Sequence, residues 1–141
     1  MDNLSIIHSF LLSDQTFMSL HHFASCIALK LPEVTVTQPF GEGCDVFKVR
    51  DKVFMLAFHL QGKAAINLKV EPDHGTMLRD IYPYIRTGWH MNKQHWISVY
   101  EDDEMDKFLV KDLVLNSYEL VVSKLKKAER IRIELLLSVE Q

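Results

Sequence analysis

Apolar positions recur at steps of three and four through Phe17, Leu20, Ala24, Ile27 and Leu31, which predicts an amphipathic helix over residues 16–31. Thr16, just after Asp14, stands where an N-cap would, and Pro32 ends the helix by disfavouring the helical conformation before it. Ahead of this helix, Leu4, Ile7 and Leu11 give residues 1–12 the pattern of a short amphipathic preface. The period then changes. Val34-Thr35-Val36-Thr37 is β-branched throughout and is broken by Pro39-Phe40-Gly41. Residues 44–49 and 53–58 flank Arg50-Asp51 and read as a hairpin. With those two residues as the turn, Phe47 faces Phe54 and Val46 faces Met55, while Lys48, Arg50 and Lys52 crowd the tip. Residues 63–70 alternate: Ala64, Ile66, Leu68 and Val70 point inward, and Lys63, Asn67 and Lys69 line a wet outer face.

Pro72, at a first helical position, opens a short helix carrying Met77, Leu78, Ile81 and Tyr82, which Pro83 stops. Gly75 inside it costs about 1 kcal/mol relative to alanine. Residues 84–94 read as irregular and 96–100 as a strand. The acidic run Glu101-Asp102-Asp103-Glu104 then precedes a long helix over 105–136. Its anions sit at the N-terminal end, and Lys124, Lys126, Lys127, Arg130 and Arg132 lie in the distal half, the order the helix dipole favours. Val114, Tyr118, Val121, Leu125 and Ala128 form its expected buried stripe. Helix, hairpin-linked strands, then helix predicts an α+β fold, with N- and C-terminal helices layered on an antiparallel sheet.

The length of 141 residues fits a single domain over 1–141, large enough to bury roughly two-thirds of its unfolded surface without a disulfide or metal. Sixteen Lys and Arg against nineteen Asp and Glu leave a formal charge of −3, which argues against an all-over polyanion binder. The longest apolar run, residues 53–58, is far short of the roughly 20 needed to span a bilayer. No Lys or Arg precedes Lys30, so the apolar start lacks a signal peptide's basic region. Cys26 and Cys44 stand alone, as expected of reduced, buried thiols in a cytoplasmic protein. No membrane partner and no cofactor are expected.

One stretch is unusual. Residues 86–96, Arg-Thr-Gly-Trp-His-Met-Asn-Lys-Gln-His-Trp, hold both tryptophans, two of the seven histidines and two cations. Indole and imidazole faces can stack on a base, Arg86 and Lys93 can meet phosphate, and Asn92 can read a base edge. The competing reading is a loop whose tryptophans cap the sheet while its polar residues tie down backbone groups. Metal binding has little support: His90 and His95 lie five apart without a companion ligand, and His21 and His22 point about 100° apart on a helix. A Cys–His nucleophile built on Cys44 lacks any local signature. Gly41 and Gly43 alone make no phosphate-cradling loop. Lys48, Arg50 and Lys52 could grip phosphates or form a solvated turn, and Lys63, Asn67 and Lys69 could add a second positive row. From Phe40 to Tyr100 eight cations oppose six anions, a net of +2. The cations from Lys124 to Arg132 read most economically as a solvated helix face.

Cys26 to Pro32, Pro39-Phe40-Gly41, Val46-Phe47-Lys48-Val49, Leu68-Lys69, Gly88-Trp89-His90-Met91-Asn92-Lys93-Gln94-His95-Trp96 and Ser117-Tyr118-Glu119-Leu120-Val121-Val122 follow in an order that resembles the MmcQ/YjbR family. The resemblance runs from about residue 17 to 125, and its specific part is the His-Met-Asn-Lys-x-His-Trp segment. It implies a small bacterial cytosolic domain with a CyaY-like two-layer fold that binds DNA through a "double wing". Carried over residue by residue, it points to Phe40, Gly41, Lys48, Lys69, His90, Asn92, Lys93, His95 and Trp96. Arg50-Asp51 departs from the glycine-containing turn usual there, so a longer loop or a strained geometry is expected at the hairpin tip. The resulting expectation is a non-enzymatic nucleic-acid-binding module. Trp89 and Trp96 would support or stack; Lys48, Arg50, Lys52, Arg86 and Lys93 would meet phosphate; His90, Asn92 and His95 would hydrogen-bond; Lys69 joins them as a nucleic-acid-binding residue. The alternative is a domain that binds a small molecule or a protein partner, with the same loop as pocket wall. An enzyme built on His90, Asn92, Lys93 or His95 is a third possibility without a nameable reaction class.

Overall fold

A computed structural model describes residues 18–140, which form α1 (Leu20–Leu29), β1 (Val34–Thr37), β2 (Asp45–Val49), β3 (Lys52–Leu60), β4 (Lys63–Lys69), α2 (Pro72–Ile81), β5 (Ile85–Thr87), β6 (Trp96–Tyr100), α3 (Lys107–Ser123) and α4 (Lys127–Glu140). The strands make one antiparallel sheet in the order β1-β2-β3-β4-β6-β5. One face packs against α1 and α3. There Phe47, Val49, Phe54, Met55, Ile66, Leu68, Ile97 and Val99 meet Leu20, Ala24, Ala28, Val114 and Tyr118 in a continuous core. The Phe54 and Tyr118 rings pack edge to face with centroids 5.5 Å apart. The fold is α+β, as the element order predicts. None of the described helices is long and apolar enough to cross a membrane.

The helix boundaries differ from the pattern. The first helix is capped by Ser19, whose side chain accepts the His22 N–H at 3.1 Å, rather than by Thr16. Phe17 and the preface over 1–12 lie outside the described residues. Leu20, Ala24 and Ala28 form the buried stripe, and Ile27 and Leu31 pack at its margin. The long helix expected over 105–136 is two helices. The Lys124 and Leu125 N–H groups turn back to the Val121 and Val122 carbonyls, and Leu125 is tucked into the core. No Gly or Pro marks this break, so the apolar period runs through it unchecked. Val114, Tyr118, Val121 and Leu125 are buried as the stripe predicts, whereas beyond the turn Ala128 is exposed and Ile133 is the buried residue.

The hairpin turn is Arg50-Asp51, with Val49 paired to Lys52. Both turn residues have positive φ, 50° and 64°, so the strained two-residue geometry is the one adopted. The register corrects the expected partners. Phe47 lies opposite Met55 and Val46 opposite Leu56, because the register shifts between Phe47 and Lys48 and leaves Phe54 unmatched. β5 is a three-residue edge strand inside the stretch that reads as irregular, too short to show alternation. In α2, Gly75 has a packing reason: a Cβ there would lie 3.0 Å from Val70 Cγ2. β4 corrects the half-buried reading. It lies between β3 and β6, and Ala65, Ile66, Asn67 and Leu68 are all buried.

Candidate functional site

The sheet face turned away from α1 and α3 carries Phe58 and Ala65, which pair across β3 and β4, and Asn67 and Ser98, which pair across β4 and β6. The 88–95 loop folds onto this face. Gly88 N–H donates to the Trp96 carbonyl at 2.9 Å, an approach so close that a Cβ on Gly88 would sit 2.6 Å from Trp96 Cβ. Trp89 N–H donates to Ser98 Oγ at 2.9 Å, Asn67 Nδ2 donates to the Trp89 carbonyl at 3.0 Å, and Ser98 Oγ donates to Asn67 Oδ1. With its backbone tied at both ends, Trp89 stacks on Phe58 at 5.1 Å and 18°. His90, at φ 58°, packs its ring edge-on to the indole at 4.1 Å. Asn67 is thus a buried strut at 2% exposure, not a member of a wet row.

The second half of the loop turns on Asn92. Its Oδ1 accepts the Gln94 and His95 N–H groups at 2.9 and 3.2 Å, and its carbonyl accepts Trp96 N–H at 3.0 Å. The side-chain oxygen is therefore committed to the turn, and the Nδ2 donors are what Asn92 has left to offer. This turn brings Asn92, His95 and Trp96 to a hollow of about 350 Å³ that is also lined by Lys69, the cross-strand partner of Trp96, and by Glu71 and Lys124. A second hollow of about 170 Å³ is lined by Lys52, Val53, Lys69, Lys124 and Leu125. Lys69 and Lys124 line both, so the two hollows form one groove across the end of β4.

Local structure fixes both shared lysines. Lys69 is the last residue of β4, and its N–H donates to Ser117 Oγ on α3 at 2.8 Å. Lys124 is the C-cap of α3, where a cation is favoured by the helix dipole. Of the residues singled out from the sequence, the groove gathers Lys52, Lys69, Asn92, His95 and Trp96. It does not gather Lys48, half-buried on β2, or Arg86 and Lys93, both exposed. Exposed His90 stays with Trp89. Arg50 is drawn toward acids: its Nε lies 3.1 Å from Glu33 and 3.7 Å from Glu129, and Arg132 reaches the same Glu33 at 3.2 Å. Sequence reasoning missed Lys124 and Glu71. Lys124 reads as one cation on a solvated face until the helix break is known.

A larger hollow, about 780 Å³, lies at the opposite end of β4 against the 101–106 turn. Three of its four acids accept backbone N–H groups, and the fourth, Asp103, is exposed. Glu101 accepts Leu20 N–H at 2.9 Å, Asp102 accepts Glu104 N–H at 2.9 Å, and Asp106 accepts Phe108 N–H at 2.9 Å. Burial holds the Lys107 amine below the usual lysine range, partly opposed by Glu101. Size alone does not make that hollow the site. Among the described residues no three His, Cys, Asp or Glu side chains come together as metal ligands.

A family model described as YjbR matches residues 29–120. The chain belongs to the YjbR family. It is similar to the uncharacterised YbdF protein of Escherichia coli O157:H7, 46% identical over 115 residues that cover 82% of this chain and 94% of that one. It is similar also to the uncharacterised YjbR protein of Escherichia coli strain K12, 31% identical over 83 residues covering 59% and 70%. Among solved structures it resembles the Deinococcus radiodurans protein DR2400, a DUF419 domain, with TM-score 0.73, 33% identity and coverage of 82% and 88%. A Pseudomonas syringae protein matches with TM-score 0.62, 26% identity and coverage of 73% and 98%. The YjbR match encloses Lys52, Lys69, Asn92, His95 and Trp96, whereas Lys124 lies just beyond it.

Proposed function

We propose that this YjbR-family chain is a non-enzymatic nucleic-acid-binding protein and that the groove at the end of β4 is its contact surface. The observation that carries the reading is the sharing of Lys69 and Lys124 between two adjoining hollows, with Lys52 at one end and Asn92, His95 and Trp96 at the other. Three lysines spaced along a concavity match a run of phosphates, and aromatic groups beside them match bases. Against them the groove holds Glu71. The net charge of −3 restricts binding to this patch and makes it sensitive to salt, since phosphate neutralisation supplies the sequence-independent part of the affinity. Arg50 has a smaller part in this reading than the hairpin tip suggests, because Glu33 and Glu129 already balance it. The two free cysteines fit a reducing cytoplasmic setting.

The test is fluorescence anisotropy with duplex and single-stranded oligonucleotides across a salt series, for the wild type, Lys69→Ala and Lys124→Ala. Micromolar or tighter binding is expected, with the log–log salt slope shallower by about 1 in each variant. Absence of binding at low salt overturns the reading. A second reading, a domain for a small molecule, is favoured by the concavity of the 350 Å³ hollow, which a convex wing would lack.

A further inference from the structure

Resting on the nucleic-acid reading, we infer that the groove takes an unpaired nucleotide, its base against Trp96 and His95 and its phosphate between Lys69 and Lys124. The two tryptophans of the loop have different surroundings. Trp89 is stacked on Phe58, with its backbone tied to Ser98 and Asn67. Trp96 is half-buried and lines the hollow beside exposed His95. Lys69 and Trp96 are cross-strand partners, so the groove sets a cation directly beside an aromatic group, the polarity of a base joined to a phosphate. Asn92, its Oδ1 spent on the turn, adds only donors, which suit an acceptor-rich ligand. Glu71 makes no side-chain cap to α2, which leaves a carboxylate at the rim as acceptor for a sugar hydroxyl. The smaller hollow continues past the shared lysines to Lys52, which suits the next phosphate along a strand.

Shape selects the unpaired state. In a duplex the bases are stacked inside a convex cylinder, and a base can meet half-buried Trp96 only after leaving the stack, at a cost of a few kcal/mol. A single strand incurs no such cost. The same base-plus-phosphate chemistry is offered by a free nucleotide, so the test separates the two sources.

The experiment uses the full chain carrying Trp89→Phe, which keeps a ring on Phe58 and leaves Trp96 as the only indole. Its emission is followed during titration with a single-stranded oligonucleotide, the blunt duplex of the same sequence, and a nucleoside monophosphate. Expected is quenching by the single strand, with affinity about 10-fold or more above the duplex at equal salt, from stacking worth about 1–3 kcal/mol per base. Lys69→Ala and Lys124→Ala in that background should each weaken the single strand several-fold while keeping the melting profile of the Trp89→Phe parent. Equal binding of strand and duplex without quenching overturns this inference and leaves the nucleic-acid reading standing. Quenching by the monophosphate with no oligonucleotide binding overturns the nucleic-acid reading and makes the free nucleotide the ligand of the groove. No response to any of the three overturns both.

Discussion

Ser117 donates its hydroxyl proton to the Phe54 carbonyl at 2.6 Å, from α3 into the point where β3 leaves its ladder with β4. The same oxygen accepts the Lys69 N–H at 2.8 Å. Ladder pairing between the two strands begins at Met55 and Leu68, so the register shift around Phe54 would otherwise strand a carbonyl on one side and an amide on the other. One buried hydroxyl closes this gap and fixes the end of β4 from which the Lys69 side chain reaches the groove.

Ser117→Ala should therefore be costly for so small a change. It removes no large volume but leaves two buried backbone groups unpaired, for a loss of roughly 2–4 kcal/mol. Urea denaturation should show a lower midpoint with an unchanged slope. A loss under about 0.5 kcal/mol would mean that water or a local shift replaces the hydroxyl.

Gly88→Ala tests how tightly the loop is seated. A Cβ at this position would lie 2.6 Å from Trp96 Cβ and 3.0 Å from the Trp96 carbonyl carbon, so backbone must move. Overpacking of this kind costs about 1–3 kcal/mol. The expected result is a lower denaturation midpoint together with a shifted tryptophan emission, because Trp96 is displaced with the loop. A substitution without effect on either would show that the loop stands off the sheet.

The alternation and the stripes made much of this architecture legible: α1, the β2–β3 hairpin, α2 and β6 all follow local period. What escaped are features settled by residues distant in sequence. Phe54 and Met55 are both apolar and both buried, so nothing local marks the register shift between β2 and β3. Val121 and Leu125 keep helical spacing across the break, so Lys124 reads as a mid-helix surface cation rather than a C-cap at a groove. Asn67 looks like a wet-face residue because its partners, Ser98 and Trp89, arrive 31 and 22 residues later. The loop over 86–96 stands out by composition, but the division between Trp89 on the sheet and Trp96 at the groove depends on Phe58, which no motif ties to it.

The Cys44 thiol is held above the usual range, first by burial and then by the neighbouring Asp45 carboxylate. Alkylation proceeds through the thiolate, so in a Cys26→Ser background the reaction of Cys44 with iodoacetamide should keep accelerating to higher pH than that of a free cysteine. Asp45→Asn removes the lesser of the two causes and should raise the rate at pH 8 modestly. The sign for stability follows from linkage. A thiol whose folded value exceeds its unfolded value stabilises the fold below the unfolded value, and that contribution is lost as pH rises through the folded one. A rate that levels off at the same pH as that of a free cysteine, or lower, would contradict the partial burial of this thiol.

The hairpin tip offers the opposite kind of change, a substitution expected to stabilise. Arg50 and Asp51 both hold positive φ, the geometry of a type I′ turn, without the glycine that turn favours at its second central position. An aspartate tolerates the left-handed region better than most residues but still at some cost, whereas glycine enters it freely. Glycine also loses more chain entropy on folding, which takes back part of the gain. The balance for Asp51→Gly should be a gain of a few tenths to about 1 kcal/mol, seen as a higher urea midpoint. Arg50→Gly relieves the same strain at the first position but removes the ion pairs to Glu33 and Glu129, so its gain should be smaller and should approach that of Asp51→Gly at high salt. Equal destabilisation by both variants would show that the side chains, rather than the turn geometry, hold the tip in place.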